Sequence, residues 1–243
     1  MGLSVTVLGS SGSYAGPGEA CSGYLLRSPG ATVVVDLGSG TLANLQRHVA
    51  LADLDAVILT HEHPDHWLDL PLLRNAMRYF LGIEGLAVHA TSGTLEAARG
   101  LQSELEPTFA CSRLCGGSSV VVGDLVLRAG RTDHPVETLA VRAESGGRTL
   151  LYSADTGPDW DPGGLGAGVD LFLCEATLPV SEEGRVQHLS GRQAGELAQR
   201  IGAARLVLTH IGPGVDVARQ RDDASAAFQG PVDAAHTGAH LEV

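Results

Sequence analysis

Thr60-His61-Glu62-His63-Pro64-Asp65-His66 is the stretch on which both fold and chemistry turn. Three histidines and an aspartate fall within six residues, directly after the apolar run Asp55 to Leu59, which predicts a buried strand. At a strand end, side chains two apart point to the same side, so His61 and His63 can reach one ion together. Asp65 and His66 follow in the first turn of a helix and can face a second ion beside it. The positive end of that helix favours the carboxylate form of Asp65. The bland alternative is a polar turn that happens to hold histidines. Imidazole and carboxylate are the usual protein ligands of divalent transition metals, and this density favours a metal site.

Two ions need further ligands, and these are expected at other strand ends. Three positions fit. His134 follows Arg131-Thr132-Asp133 and precedes Pro135. Asp155 follows the predicted strand Thr149 to Ser153, and His210 follows the predicted strand Arg205 to Leu208. Each alone is an ordinary loop residue; together they form a consistent set. Five histidines and two aspartates suit zinc, and also manganese or iron(II), so the expected cofactor is a pair of divalent ions.

Outward from this centre the chain has the make-up of one domain. Its 243 residues are 44% hydrophobic, enough for a sizeable core. Short apolar runs bounded by glycine and proline predict strands at Leu3 to Leu8, Gly23 to Arg27, Thr32 to Asp36 and Leu86 to His89. More follow at Val120 to Val122, Leu125 to Ala129, Leu139 to Ala143 and Asp170 to Cys174, with a final strand pair closing the chain. Helices are expected over Gly40 to His48, Asp65 to Phe80, Thr94 to Glu104, Ser190 to Ile201 and Val215 to Phe228. The second is broken near Pro71, where Asp69 can cap a new start. The fourth opens with a capping box, Ser190 and Gln193, and stops at Gly202. Two such halves predict an α/β sandwich of two sheets with helices outside.

The net charge of -12, with all 16 basic residues arginine, argues against a broad nucleic-acid surface. It leaves room for a small phosphorylated substrate drawn to bound metal. Cys21, Cys111, Cys115 and Cys174 are expected to be free thiols. The N-terminus has no basic, apolar leader, and no run reaches the roughly 18 residues of a membrane span. A cytoplasmic protein without membrane contact is expected. The glycine-rich segment Gly9 to Gly18 lacks the spacing of a nucleotide loop and can shape the mouth of the pocket.

These residues resemble the metallo-β-lactamase-fold hydrolases, and within them the ribonuclease Z-like branch. The shared marks are Val35-Asp36-Leu37-Gly38, the His-x-His-x-Asp-His string, His134, Ser153-Ala154-Asp155-Thr156 and Thr209-His210. Cys174-Glu175-Ala176-Thr177 and His188-Leu189-Ser190 point to the phosphodiesterase side. Gly18 to Leu25 and His188 to Gly191 are most similar to the compact bacterial cyclic-nucleotide phosphodiesterases. The resemblance implies an αββα sandwich of two mixed β-sheets flanked by helices, with a dinuclear metal site at one edge. It also implies that His61, His63 and His134 hold one ion, that Asp65, His66 and His210 hold the other, and that Asp155 bridges them. A homodimer is implied as well.

Two departures set the chain apart from ribonuclease Z proper. The long tRNA-gripping arm between the third-motif histidine and the bridging aspartate is absent, since only 20 residues separate His134 from Asp155. The motif glutamate is preceded by Cys174 where that enzyme has histidine. Both make tRNA an unexpected partner.

The expected chemistry is hydrolysis of a small phosphodiester, foremost a 3′,5′-cyclic nucleotide such as cyclic AMP. Two divalent ions can share a hydroxide and clamp a phosphoryl group. Asp65 would orient the nucleophile or take its proton. His188, positioned by Glu175, would protonate the leaving ribose oxygen, and the helix start at Ser190 would offer free backbone N–H groups to the phosphate. Asp36 is expected to brace the loop that carries the metal histidines, while His48, His89, His236 and His240 have no motif support. RNA cleavage by the same chemistry, hydrolysis of another ester, thioester or lactone, and non-catalytic binding are the alternatives.

Overall fold

The computed structural model describes residues 2–243. Two seven-stranded mixed sheets stack face to face. In the first, β1 (Ser4–Gly9), β2 (Gly23–Ser28) and β3 (Ala31–Leu37) form an antiparallel meander. β4 (Ala56–Leu59), β5 (Leu86–Ala90) and β6 (Phe109–Arg113) then add in parallel. The second sheet repeats the scheme. β7 (Ser119–Val122), β8 (Leu125–Arg131), β9 (Leu139–Ser145) and β10 (Arg148–Tyr152) are antiparallel. β11 (Leu171–Glu175), β12 (Leu206–Thr209) and β13 (Val232–Ala234) continue in parallel.

Strand pattern explains the layering. Along β3, Val33 and Val35 join the core between the sheets, while Val34 and Leu37 face the helices on the outside. Both faces are buried, so the strand is a continuous apolar run rather than an alternating one. Three apolar layers result: one between the sheets, one under α1 (Thr41–Leu45), α2 (Leu70–Asn75) and α3 (Ser92–Leu101), and one under α4 (Gly191–Ile201) and α5 (Val217–Ala227). This is the expected αββα sandwich. Among the described residues no helix is long and apolar enough to cross a membrane.

Several boundaries differ from expectation, each for a local reason. The final strands do not pair with each other: β13 lies on β12 in the second sheet, and β14 (His240–Glu242) lies on β1 in the first. The chain end therefore laces the two sheets together. The strand β6 has no apolar alternation to announce it, because it is an exposed edge. The helix expected over Asp65 to Phe80 is a short 3₁₀ turn (Pro64–His66), then α2, then a π-helical turn (Ala76–Leu81). Asp69 stands at the N-cap of α2 without capping it; its carboxylate accepts the Leu42 N–H at 2.8 Å and ties α1 to this segment. The capping box of α4 is present as expected.

Candidate metal centre

All the expected site residues lie at one edge of the sandwich, beyond the carboxyl ends of strands. Asp36 is the penultimate residue of β3, His61 to His66 follow β4, and His134 follows β8. Asp155 follows β10, Glu175 ends β11, and His210 follows β12. In open α/β sheets this is where crevices form. The edge is stitched across the sheets: Leu139 N–H donates to the Thr60 carbonyl at 3.1 Å, and the Tyr24 and Thr209 hydroxyls meet at 2.7 Å.

Two sets of ligand atoms stand side by side, His61, His63, His134 and Asp155 in one and Asp65, His66 and His210 in the other, and a third, Asp155, His188 and His210, overlaps both. Asp155 lies between them. Its Oδ2 is 3.4 Å from His61 Nε2, while its Oδ1 is 3.2 Å from His66 Nε2 and 3.3 Å from His210 Nε2. The remaining spacing suits cations. His134 Nε2 lies 3.2 Å from His63 Nδ1, and His66 Nε2 lies 3.2 Å from His210 Nε2. Nitrogens held at about 2.0–2.1 Å around a tetrahedral zinc sit about 3.3–3.4 Å apart. Buried His61 Nε2 and Asp155 Oδ1 have no hydrogen-bond partner in the protein, a state that costs about 1–3 kcal/mol per group unless something else satisfies it. The donor set therefore fits divalent metal.

Protonation agrees with ligand duty at His61, Asp155 and Asp65; at His66 burial pulls the imidazole down, but the Asp155 and Asp36 charges hold it well above the ordinary histidine value, so a metal ion there would have to displace its proton. Burial pulls the His61 imidazole down to about 4, helped by the His66 charge, and leaves it neutral. Burial pushes the Asp155 carboxyl up, but the His210 and His66 charges outweigh it and hold the group well below the carboxylate range. For Asp65 burial likewise pushes up, and the His210 hydrogen bond with the His66 and His210 charges wins. The flanking 3₁₀ turn has only three residues, so neighbouring histidines, not the expected helix dipole, keep Asp65 ionised.

The cluster is braced from behind. Asp36 Oδ1 accepts the Thr60 N–H at 2.9 Å, and Oδ2 faces the Thr60 hydroxyl (2.9 Å), the Tyr152 hydroxyl (3.0 Å) and His66 Nδ1 (2.7 Å). Such carboxylate–imidazole pairs orient ligand histidines. Sequence reasoning anticipated Asp36; it assigned no contact to the Gly9 to Gly18 loop. Ser13 N–H donates to Asp65 Oδ2 at 2.8 Å, and Gly12 packs so tightly that a Cβ there would lie 2.6 Å from the His210 carbonyl oxygen. Among the described residues the non-glycine positions with positive φ are Ser13, Asp36, Ala154 and His210, all within or next to the cluster. Backbone strain of this kind collects at functional sites.

Glu175 and His188 stand against the same centre. Glu175 is fully buried, and its Oε1 accepts from His188 Nδ1 at 2.8 Å. The His188 ring stacks on His210 with centroids 5.6 Å apart and meets His134 edge-on at 5.2 Å. Burial pulls the His188 imidazolium down, but the Glu175 charge and hydrogen bond hold it up at about 9. One expectation is narrowed here. Of the N–H groups that open α4, two are not free for phosphate: Gly191 donates to Gln220 Oε1 at 2.6 Å and Gln193 to Ser190 Oγ at 3.2 Å. All four cysteines are free thiols, and Cys111 and Cys115 join none of these groups.

The β-lactamase superfamily domain model matches residues 31–211, three quarters of the chain and nearly all of this edge. The chain belongs to the β-lactamase superfamily. Within it, an uncharacterized protein of Mycobacterium tuberculosis is 38% identical over 242 residues, covering 95% of this chain and 88% of that one. The probable metallo-hydrolase YhfI of Bacillus subtilis is 29% identical over 97% of this chain and 98% of its own. The crystal structure of YhfI superposes with a TM-score of 0.90 over 99% of both chains, which confirms the metallo-β-lactamase fold. A ribonuclease Z of Halorubrum lacusprofundi is 27% identical over 95% of this chain and 94% of its own. The superfamily member described here is thus a metallo-hydrolase-type protein whose His/Asp cluster can bind metal.

Proposed function

We propose that this protein is a dinuclear metal-dependent phosphodiesterase whose substrate is a 3′,5′-cyclic nucleotide such as cyclic AMP. The observation that carries the reading is the Glu175–His188 pair, with Nδ1 and Oε1 2.8 Å apart, set against the rings of His134 and His210. A hydrolase of esters with good leaving groups has little need of a proton donor there; an alkoxide leaving from phosphorus does.

In this reading His61, His63 and His134 would hold one ion and Asp65, His66 and His210 the other, with Asp155 offering an oxygen toward each. Zinc is the first choice, with manganese or iron(II) as alternatives. Bound ions would act as Lewis acids toward the phosphoryl oxygens and generate the nucleophile at neutral pH. Asp65 orients the attacking water and takes its proton. As the bond from phosphorus to the ribose 3′ oxygen breaks, His188 Nε2 gives that oxygen a proton. Glu175, bonded to Nδ1, keeps Nε2 turned to the site and favours the charged ring.

Cleavage of RNA is the second reading, favoured by the ribonuclease Z relative that matches nearly the whole chain. Two features weigh against tRNA. Residues between His134 and Asp155 are taken up by the hairpin β9–β10 inside the sheet, leaving no segment to project as a gripping arm. The net charge of -12 opposes a long polyanion. The homodimer expected from the family resemblance belongs to this proposal, and sedimentation of the purified protein tests it.

The experiment is a panel of cyclic AMP, cyclic GMP and a tRNA precursor, offered to metal-loaded wild type and to His188→Ala. Cyclic nucleotide turnover that falls at least about a hundredfold in the variant, with metal content kept, is expected. Cleavage of the precursor alone would transfer the proposal to RNA, and full turnover by the variant would remove His188 from the mechanism.

A further inference from the structure

Thr177 sits where the two halves of the site meet. Its hydroxyl oxygen is 2.6 Å from Glu175 Oε2, 2.8 Å from His210 Nδ1, 3.0 Å from the His210 carbonyl oxygen and 3.4 Å from His188 Nδ1. A hydroxyl has one hydrogen to give. The shortest contact, and the one to a carboxylate, takes it, with the His210 carbonyl oxygen as the minor acceptor of a bifurcated bond. The neighbouring His210 Nδ1 must then be the donor, since two lone pairs would otherwise face each other at 2.8 Å. With its proton on Nδ1, His210 turns the lone pair of Nε2 toward Asp65, Asp155 and His66, at 3.2, 3.3 and 3.2 Å.

Glu175 is thereby shared. Oε1 accepts from His188 Nδ1 and from the Thr156 N–H, each at 2.8 Å. Oε2 accepts from the Thr177 hydroxyl, and from the Thr177 and Leu189 N–H groups at 3.3 and 3.2 Å. Five donors converge on one buried carboxylate, which suits an acceptor-only ion.

We infer that Thr177 is a positioning residue that relays the Glu175 carboxylate to His210, fixing the ring with Nε2 as the ligand atom, so that one buried charge sets both the proton donor and a metal ligand. The inference rests on the assignment of His210 as a metal ligand and His188 as proton donor, and it adds a coupling between them. Losing the Thr177 hydroxyl loosens metal, although Thr177 itself touches neither metal nor substrate. It also leaves Glu175 Oε2 short of a donor and His210 Nδ1 without an acceptor.

The test is zinc affinity by chelator competition for wild type, Thr177→Val, Thr177→Ser and His210→Ala, each checked for fold by circular dichroism. Thr177→Val keeps the shape and removes the hydroxyl; roughly 10–100-fold weaker zinc binding is expected. Thr177→Ser restores the hydroxyl and should stay within about threefold of wild type. Zinc binding by Thr177→Val equal to wild type, with His210→Ala weakened, overturns the relay and spares the metal assignment. Zinc binding undiminished in His210→Ala overturns the assignment itself. The unmodified protein gives a readout independent of any variant's folding. In the zinc-loaded wild type the Nδ1 proton of His210 should appear by NMR as a slowly exchanging, hydrogen-bonded resonance; a rapidly exchanging one overturns the relay.

Discussion

Replacing Glu175 with glutamine should move the titration of His188 by more than two pH units. The wild-type ring is held up at about 9 because the carboxylate charge and hydrogen bond outweigh burial. With the charge gone, burial acts almost unopposed and the midpoint should fall to 6.5, the ordinary histidine value, or lower. A drop of about 2.5 units corresponds to roughly 3 kcal/mol, and at pH 7 the protonated fraction would fall from about 99% to about a quarter or less. The sign also fixes a stability effect. A ring whose folded pKa is raised contributes stability that is fully present below 6.5 and lost as pH rises through about 9. In the variant that alkaline loss should largely vanish. The assay is an NMR pH titration of the ring proton in metal-free wild type and Glu175→Gln, with His188→Ala to assign the signal and thermal melts to confirm folding. A midpoint within about half a unit of wild type in a folded variant would refute the reasoning.

Three further outcomes follow from named contacts. Asp36→Asn turns an amide N–H against donors now held at 2.7 to 3.0 Å, so zinc affinity should fall about 10–100-fold and the melting temperature by several degrees, read by chelator competition and calorimetry. Gly12→Ala puts a methyl 2.6 Å from the His210 carbonyl oxygen and should cost metal binding and activity together, whereas Gly100→Ala, with nothing within 4 Å, should leave both alone; equal behaviour of the pair would contradict the docked loop. Glu183→Ala removes the carboxylate that holds Ser190 and Arg192 and so pins the loop carrying His188; kcat should drop by roughly tenfold or more with metal content unchanged, and steady-state kinetics beside metal analysis decides it.

The centre was legible because its ligands are concentrated. His61 to His66 lie in one short string, and His134, Asp155 and His210 each follow a strand that glycine and apolar residues mark out. Asp36 was legible for the same reason, as a charge at the end of a buried strand. What escaped depends on contacts that bring distant segments together. The Thr177 hydroxyl acquires its role only when β11 and β12 pair in parallel and set it beside His210. Two of the free amides expected at Ser190, those of Gln193 and Gly191, are claimed by its own capping box and by Gln220, which arrives from α5. Asp69 likewise serves α1 across space and not the helix it precedes. The last two strands are both short and polar-flanked, so nothing local assigns them to opposite sheets.

The central claim is metal-dependent cleavage of a cyclic phosphodiester. The most direct measurement follows cyclic AMP incubated in ¹⁸O-water with metal-loaded wild type and with Asp155→Ala, and analyses the product. The account predicts 5′-AMP carrying one ¹⁸O on phosphorus, formed by the wild type and lost both on chelation and in the variant. Intact cyclic AMP after incubation with fully metal-loaded wild type would contradict it.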